Sequence, residues 1–187
     1  VKIVLATTNE GKIKEIRSLA KNIELVSLNE MNVTMPDETE PTIEANSRLK
    51  SVSIFEQTGL PTLAEDSGLC IDALEGKPGV HSARFAGSTR ENIEKVLLLM
   101  TGISNRNAHF ETIFSFTDRN RTVSFKGIQN GTIGFEPIGE HGFGYDPIFI
   151  NETGKTNAQC SVEEKNKMSA RGMALGLFLA WLVNYKK

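Results

Sequence analysis

The stretch Val1-Lys2-Ile3-Val4-Leu5-Ala6-Thr7-Thr8-Asn9-Glu10-Gly11-Lys12 changes character twice within a few residues. Val1 to Ala6 is a β-branched apolar run that suits a buried strand. Thr7 to Gly11 is polar, and beyond it Ile13, Ile16, Leu19 and Ala20 fall on one face of a helix that Asn9 can cap. Strand, polar loop and helix follow one another without a linker. The remaining chain repeats the mixture. Thr42 can cap a second helix whose Leu49, Val52 and Phe55 recur at helical spacing before Gly59 and Pro61. A third helix is expected from about Thr89 to Thr101, carrying Ile93, Val96, Leu97 and Met100 at i, i+3, i+4, i+7.

Leu60 to Ala64, Leu69 to Ala73, Ala108 to Thr117 and Thr122 to Ile133 read as strands, the last two an antiparallel pair across Asp118 to Arg121. Ser161 and Glu164 form a capping-box signature ahead of a final amphipathic helix bearing Leu175, Phe178, Leu179 and Leu182. Hairpin-type and strand–helix connections together imply an α/β protein built around a twisted mixed sheet flanked by helices. With 187 residues and 39% hydrophobic composition the chain can bury one sizeable core, and a single domain over residues 1–187 is expected.

A net charge of −2 supplies no overall field for a nucleic acid polymer or an anionic membrane, so an anionic ligand needs a local cluster of cations. Cys70 and Cys160 form no CxxC or Cys/His metal spacing. No apolar run reaches the ~18 to 20 residues that span a bilayer, and no basic-then-apolar leader opens the chain. A reduced cytoplasmic setting is the expectation.

Polar and glycine residues gather in five places that a packed core does not require. Thr7, Thr8, Asn9, Glu10, Gly11 and Lys12 stand where a strand ends and a helix begins, a ready anion site through free N–H groups and the helix dipole. Plain helix capping explains the same residues, and the spacing is not that of a Walker loop. Glu65-Asp66-Ser67-Gly68 follows an apolar strand. Paired acids there suit Mg²⁺, although an acidic turn reads equally well. Glu38 to Thr42 is a third polar cluster. Gly142-Phe143-Gly144-Tyr145-Asp146-Pro147 combines a tight backbone with aromatic faces that could stack on a base, or forms a turn with packed aromatics. Lys165 and Arg171 flank the start of the last helix and, taken alone, read as a solvated face.

Taken in order, Thr8-Asn9 with Lys12, Glu38-Thr39 with Thr42 and Asn46, Glu65 to Leu69, Pro78-Gly79 with Ser82-Ala83-Arg84, Gly142 to Pro147, and Glu164-Lys165 with Ser169 and Arg171-Gly172 resemble the inosine triphosphate pyrophosphatase family along nearly the whole chain. The resemblance implies an elongated two-lobed α/β fold, a substrate cleft between the lobes, a homodimer, Mg²⁺, and cleavage of non-standard purine nucleoside triphosphates such as ITP, dITP and XTP. By position it makes Asp66 the catalytic base and a metal ligand, with Glu38 and Glu65 as further metal-site acids. Thr7 to Lys12 would hold phosphates, Ser67 would touch substrate, and Phe143, Gly144, Tyr145 and Asp146 would bind the nucleoside. Lys165, Ala170 and Arg171 would meet phosphate and base. Three positions depart from the family pattern: Ala170 replaces a histidine, Ala45 a glutamate, and His81 a common tyrosine. A rival on the same residues is a nucleotide-binding protein of this fold with weakened catalysis or altered base choice.

Overall fold

The computed structural model describes residues 2–28, 31 and 33–185; Val1, the first residue of the expected opening strand, lies outside them. Six strands form one mixed sheet in the order β2-β1-β3-β4-β5-β6. Strand β1 (Lys2–Ala6) runs parallel to both β2 (Glu24–Ser27) and β3 (Thr62–Ile71). Strands β4 (Asn107–Thr117), β5 (Thr122–Ile133) and β6 (Phe149–Ile150) continue it antiparallel. The hairpin expected across Asp118 to Arg121 is present, with Thr117 opposite Thr122. The α/β sheet flanked by helices is therefore the fold the sequence implies. Among the described residues no helix is long and apolar enough to cross a membrane.

Helices α1 (Glu10–Leu19) and α5 (Ala170–Tyr185) cover one face, where Ile13, Ile16, Leu175 and Phe178 pack on Leu5, Leu63, Phe114 and Phe116. Helix α2 (Ile43–Thr58) covers the other, with Ile54 against Val4, Ala6 and Ala64. Helix α3 (Thr89–Leu99) closes a third apolar cluster through Ile93, Val96 and the following Met100. The caps follow the sequence: Asn9 Oδ1 accepts the Lys12 N–H at 3.1 Å, and Thr42 Oγ1 accepts that of Ala45 at 3.1 Å. Gly59, in the left-handed region at φ 67°, ends α2.

Three expectations change. The strands expected at Leu60 to Ala64 and Leu69 to Ala73 are one strand, because β4 pairs with β3 without a break from Thr62 to Ile71. That ladder overrides the weak strand propensity of Glu65-Asp66-Ser67-Gly68. Helix α2 buries Asn46, Ser47, Lys50 and Ser51 beside Ile43 and Ile54, while Leu49, Val52 and Phe55 are only half-buried. The expected final helix is two: α4 (Val162–Met168), with the Ser161/Glu164 capping box in place, and α5, broken at Ser169 by extended backbone of ψ 148°. Strands β2 and β6 are too short for an alternating pattern to show.

Candidate active site

Strand lengths create the site. Strand β1 pairs with β3 only from Val4–Thr62 to Ala6–Ala64, so from Glu65 onward no strand among the described residues lies beside that edge of β3, which makes a single bridge from Cys70 to Pro78. A cavity of about 450 Å³ opens there, reached by the 7–12 loop, β3, the 143–146 turn and the junction of α4 with α5. Ligands in open α/β sheets collect where a strand ends and the chain departs to a helix.

Because successive strand residues point to opposite faces, Glu65 and Asp66 do not converge. Asp66 faces α2, where Lys50 Nζ lies 3.0 Å from Asp66 Oδ1 and 2.7 Å from Glu38 Oε1. Arg84 grips Glu38 twice, Nη1 on Oε2 and Nη2 on the backbone carbonyl, each at 2.9 Å. The Asn46 side chain accepts the Glu40 N–H at 3.0 Å and donates to the Glu40 carbonyl at 3.1 Å, fixing the segment that carries Glu38. The two carboxylates are shifted in opposite directions. Burial pushes Asp66 up and the nearby Glu38 charge adds to this, so Lys50 and Lys12 do not bring it back to the ordinary aspartate range. Burial also acts on Glu38, but Lys50 and Arg84 outweigh it and hold the group down to about 2. For Lys50, burial opposes the charge, yet attraction to Asp66 and Glu38 keeps the ammonium above its usual range.

Glu65 faces α1 and α5. Its two oxygens accept from Arg171 Nε and Nη2 at 3.0 and 2.9 Å, and Lys12 Nζ lies 3.4 Å away. Burial resists ionisation of Glu65, but Arg171 and Lys12 prevail and its carboxyl lies far below the usual range. Lys12 itself is lowered by burial, with Glu65 opposing. Arg171 Nη1 also donates to Glu15 Oε2, whose other oxygen accepts from Lys165 Nζ at 2.8 Å. Lys165 reaches Asp146 Oδ2 at 2.6 Å, and the same oxygen accepts the Phe143 N–H at 2.8 Å. Gly142, at φ 76°, leaves no room for a Cβ against the Asp146 carboxylate, which explains the glycine in this turn. The Phe143 ring lies 5.0 Å from the Lys165 ammonium and 5.2 Å from the Arg171 guanidinium, and a Cβ on Gly11 would stand 2.9 Å from it.

Most residues singled out from the sequence line this cavity: Thr7, Thr8, Asn9, Gly11 and Lys12 from the loop, and Glu38, Glu65, Asp66 and Ser67 beside β3. Phe143, Gly144, Tyr145, Asp146, Lys165, Ala170 and Arg171 line the opposite side. Glu10 is exposed in the first turn of α1 and is not among the lining residues. The Tyr145 ring packs in the apolar cluster with Ile148 and Phe149, and its hydroxyl donates to the Ser82 carbonyl at 2.8 Å. His81 is exposed and is not among the lining residues, although Val80 and Ser82 beside it are. Lys50 and Glu15 were not legible as site residues, since a charge inside a helix reads as solvent-facing. A signal existed for Lys50: Asn46, Ser47, Lys50 and Ser51 repeat at helical spacing as a polar stripe.

A hard cation takes oxygen ligands, and Mg²⁺ needs only one or two carboxylates when phosphates supply the rest. Glu38 and Asp66 offer such a pair of carboxylates, converging where Lys50 Nζ sits, and Arg84 also holds Glu38 Oε2. Both oxygens of Glu65 accept from Arg171 on the other face of the strand. Among the described residues no group of three or more His, Cys, Asp or Glu gathers as a metal cluster.

The chain is 41% identical over 189 residues to a protein of Yersinia pestis named dITP/XTP pyrophosphatase, covering 95% of this chain and 96% of that one. It is 40% identical over 186 residues to one of the same name from Staphylococcus epidermidis, covering 96% and 95%. A solved structure of a HAM1 protein from Coxiella burnetii superposes with a TM-score of 0.92 at 36% identity, over 98% of this chain and 99% of that one. The Ham1 family model matches residues 3–181, a span holding both carboxylate clusters, the loop of Lys12 and the helix of Arg171. Sequence and fold thus agree in placing the chain in the Ham1 family.

Proposed function

We propose that this protein hydrolyses non-standard purine nucleoside triphosphates, ITP, dITP and XTP, to the monophosphate and pyrophosphate with Mg²⁺. The observation that carries the reading is the division of one cavity: the poised Asp66 with Glu38 and Lys50 on one side, and the cations Lys12, Lys165 and Arg171 on the other. The names of the relatives, dITP/XTP pyrophosphatase, point the same way.

Attack at the α-phosphorus requires an oriented water, a group to take its proton, and positive charge on the departing pyrophosphate. Asp66 is assigned the proton. Its environment raises it while that of Glu38 lowers it, the separation expected when one carboxylate is to exchange protons and the other to stay ionised. Glu38 and Asp66 would hold the metal, which when bound draws charge from the phosphate oxygens. Glu65 we assign to holding Lys12 and Arg171. The N-terminal end of α1, with Thr7 to Lys12, receives phosphate through N–H groups and the Lys12 ammonium. Phe143 offers an aromatic face, and Ser67 and Gly144 its approach.

Lys165 and Arg171 are donors only. A 6-oxo purine presents an acceptor to them, whereas adenine presents an amino group and leaves buried donors unpaired, which disfavours ATP. A homodimer belongs to the same proposal, checked by light scattering. The deciding assay measures pyrophosphate from ITP, dITP, XTP, ATP and UTP with and without Mg²⁺. Release from the first three and little from the others is expected; no metal-dependent release from any of them overturns the reading.

A further inference from the structure

We propose that Glu15 is a positioning residue that sets the places of Lys165 and Arg171 and thereby the affinity for nucleotide. The inference rests on the functional reading above but goes beyond it, to a residue outside the cavity lining. Glu15 belongs to α1, where Ile13 and Ile16 are the other buried residues, and it is only 7% exposed. A buried acid is retained at a cost unless it is paired. Here each oxygen serves a different cation: Oε1 accepts from Lys165 Nζ at 2.8 Å, and Oε2 from Arg171 Nη1.

Those two cations come from different helices. Lys165 belongs to α4 and Arg171 to α5, and the extended backbone at Ser169 stands between them. Their like charges repel, and continuous helical geometry does not fix their spacing. Glu15 is the carboxylate they share. Through it an alternating chain of charges, Asp146, Lys165, Glu15, Arg171, Glu65 and Lys12, runs from the 143–146 turn to the 7–12 loop and joins both sides of the cavity. Simple docking of α1 on α4 has a bond of its own, Asn166 Nδ2 to Ser18 Oγ at 3.1 Å.

Glutamine has the volume of glutamate but one acceptor and one amide nitrogen, while both partners are donors only. Glu15→Gln therefore keeps one bond and turns an N–H toward the other cation. Loss of a charge-assisted bond corresponds to a rise in KM for ITP of about tenfold or more, with kcat changed far less. Glu15→Asp keeps the charge and is expected to raise KM by a smaller factor. A second readout needs no turnover. In ¹⁵N-labelled protein the Lys165 ammonium and Arg171 Nε–H signals, assigned with Lys165→Met and Arg171→Lys, are expected in the unsubstituted protein and to be lost or displaced in Glu15→Gln. Unchanged KM and unchanged signals in Glu15→Gln overturn the proposal. Should Glu15→Gln fail to fold, the same pair of null results in Glu15→Asp overturns it. If the unsubstituted protein releases no pyrophosphate, the functional reading fails, and the side-chain signals still decide whether Glu15 holds the two cations.

Discussion

Asp66 and Lys50 form the closest coupling between chemistry and stability in this molecule. Asp66→Asn keeps the shape but removes the proton acceptor, and pyrophosphate release is expected to fall by about 100-fold or more while nucleotide still binds; equal loss of binding, read by calorimetry, would contradict the assignment. Lys50→Met leaves Glu38 and Asp66 facing one another without their shared cation. Breaking a buried pair in this way costs about 3–5 kcal/mol, to be read from the urea midpoint. These two residues also mark where the sequence was readable. Asp66, Lys12 and Arg171 stand out because they accompany glycines and chain reversals that no core requires. Lys50 and Glu15 do not, because their meaning comes from partners 16 and 150 positions away in the chain.

Elements were legible wherever one physical rule dominated. The caps at Asn9, Thr42 and Ser161 and the β4–β5 hairpin follow from local chemistry and stand as read. What local rules missed was decided by pairing and packing: β3 runs through its acids because β4 holds it, and α2 buries polar residues because it lies over the carboxylate end of the sheet. The contact of α5 with β5 gives a prediction at this scale. A Cβ on Gly127 would strike the Ala170 carbonyl and come within 2.8 Å of the Ala174 nitrogen. Gly127→Ala is therefore expected to cost about 1–3 kcal/mol by overpacking. Moving the first turn of α5, it should also raise KM for nucleotide through Arg171; a variant of full stability with unchanged KM would show that the approach is not tight.

Across the whole molecule, pH connects folding to function with opposite signs. Glu38 is held down from 4.5 to about 2, and Glu65 is depressed further. Their contribution to folding is complete above their unfolded values near 4.5 and is lost as pH falls through the folded ones. Asp66 is raised, so ionising it works against folding and its protonation on acidification partly offsets the loss. The urea midpoint is expected to drop from about pH 5 to about pH 3, and less steeply in Glu38→Gln. Activity should lose its base at a pH above the ordinary aspartate value of 3.8. The α/β sheet was visible in the sequence at this scale because strand and helix periodicities alternate. The cavity was not, because it arises where β1 stops short of β3, a difference in length that only the register reveals. The central claim is attack by water at the α-phosphorus, and turnover of ITP in H₂¹⁸O tests it most directly. The account predicts the label in the inosine monophosphate and none in pyrophosphate; label in pyrophosphate, or a diphosphate product with labelled phosphate, would contradict it.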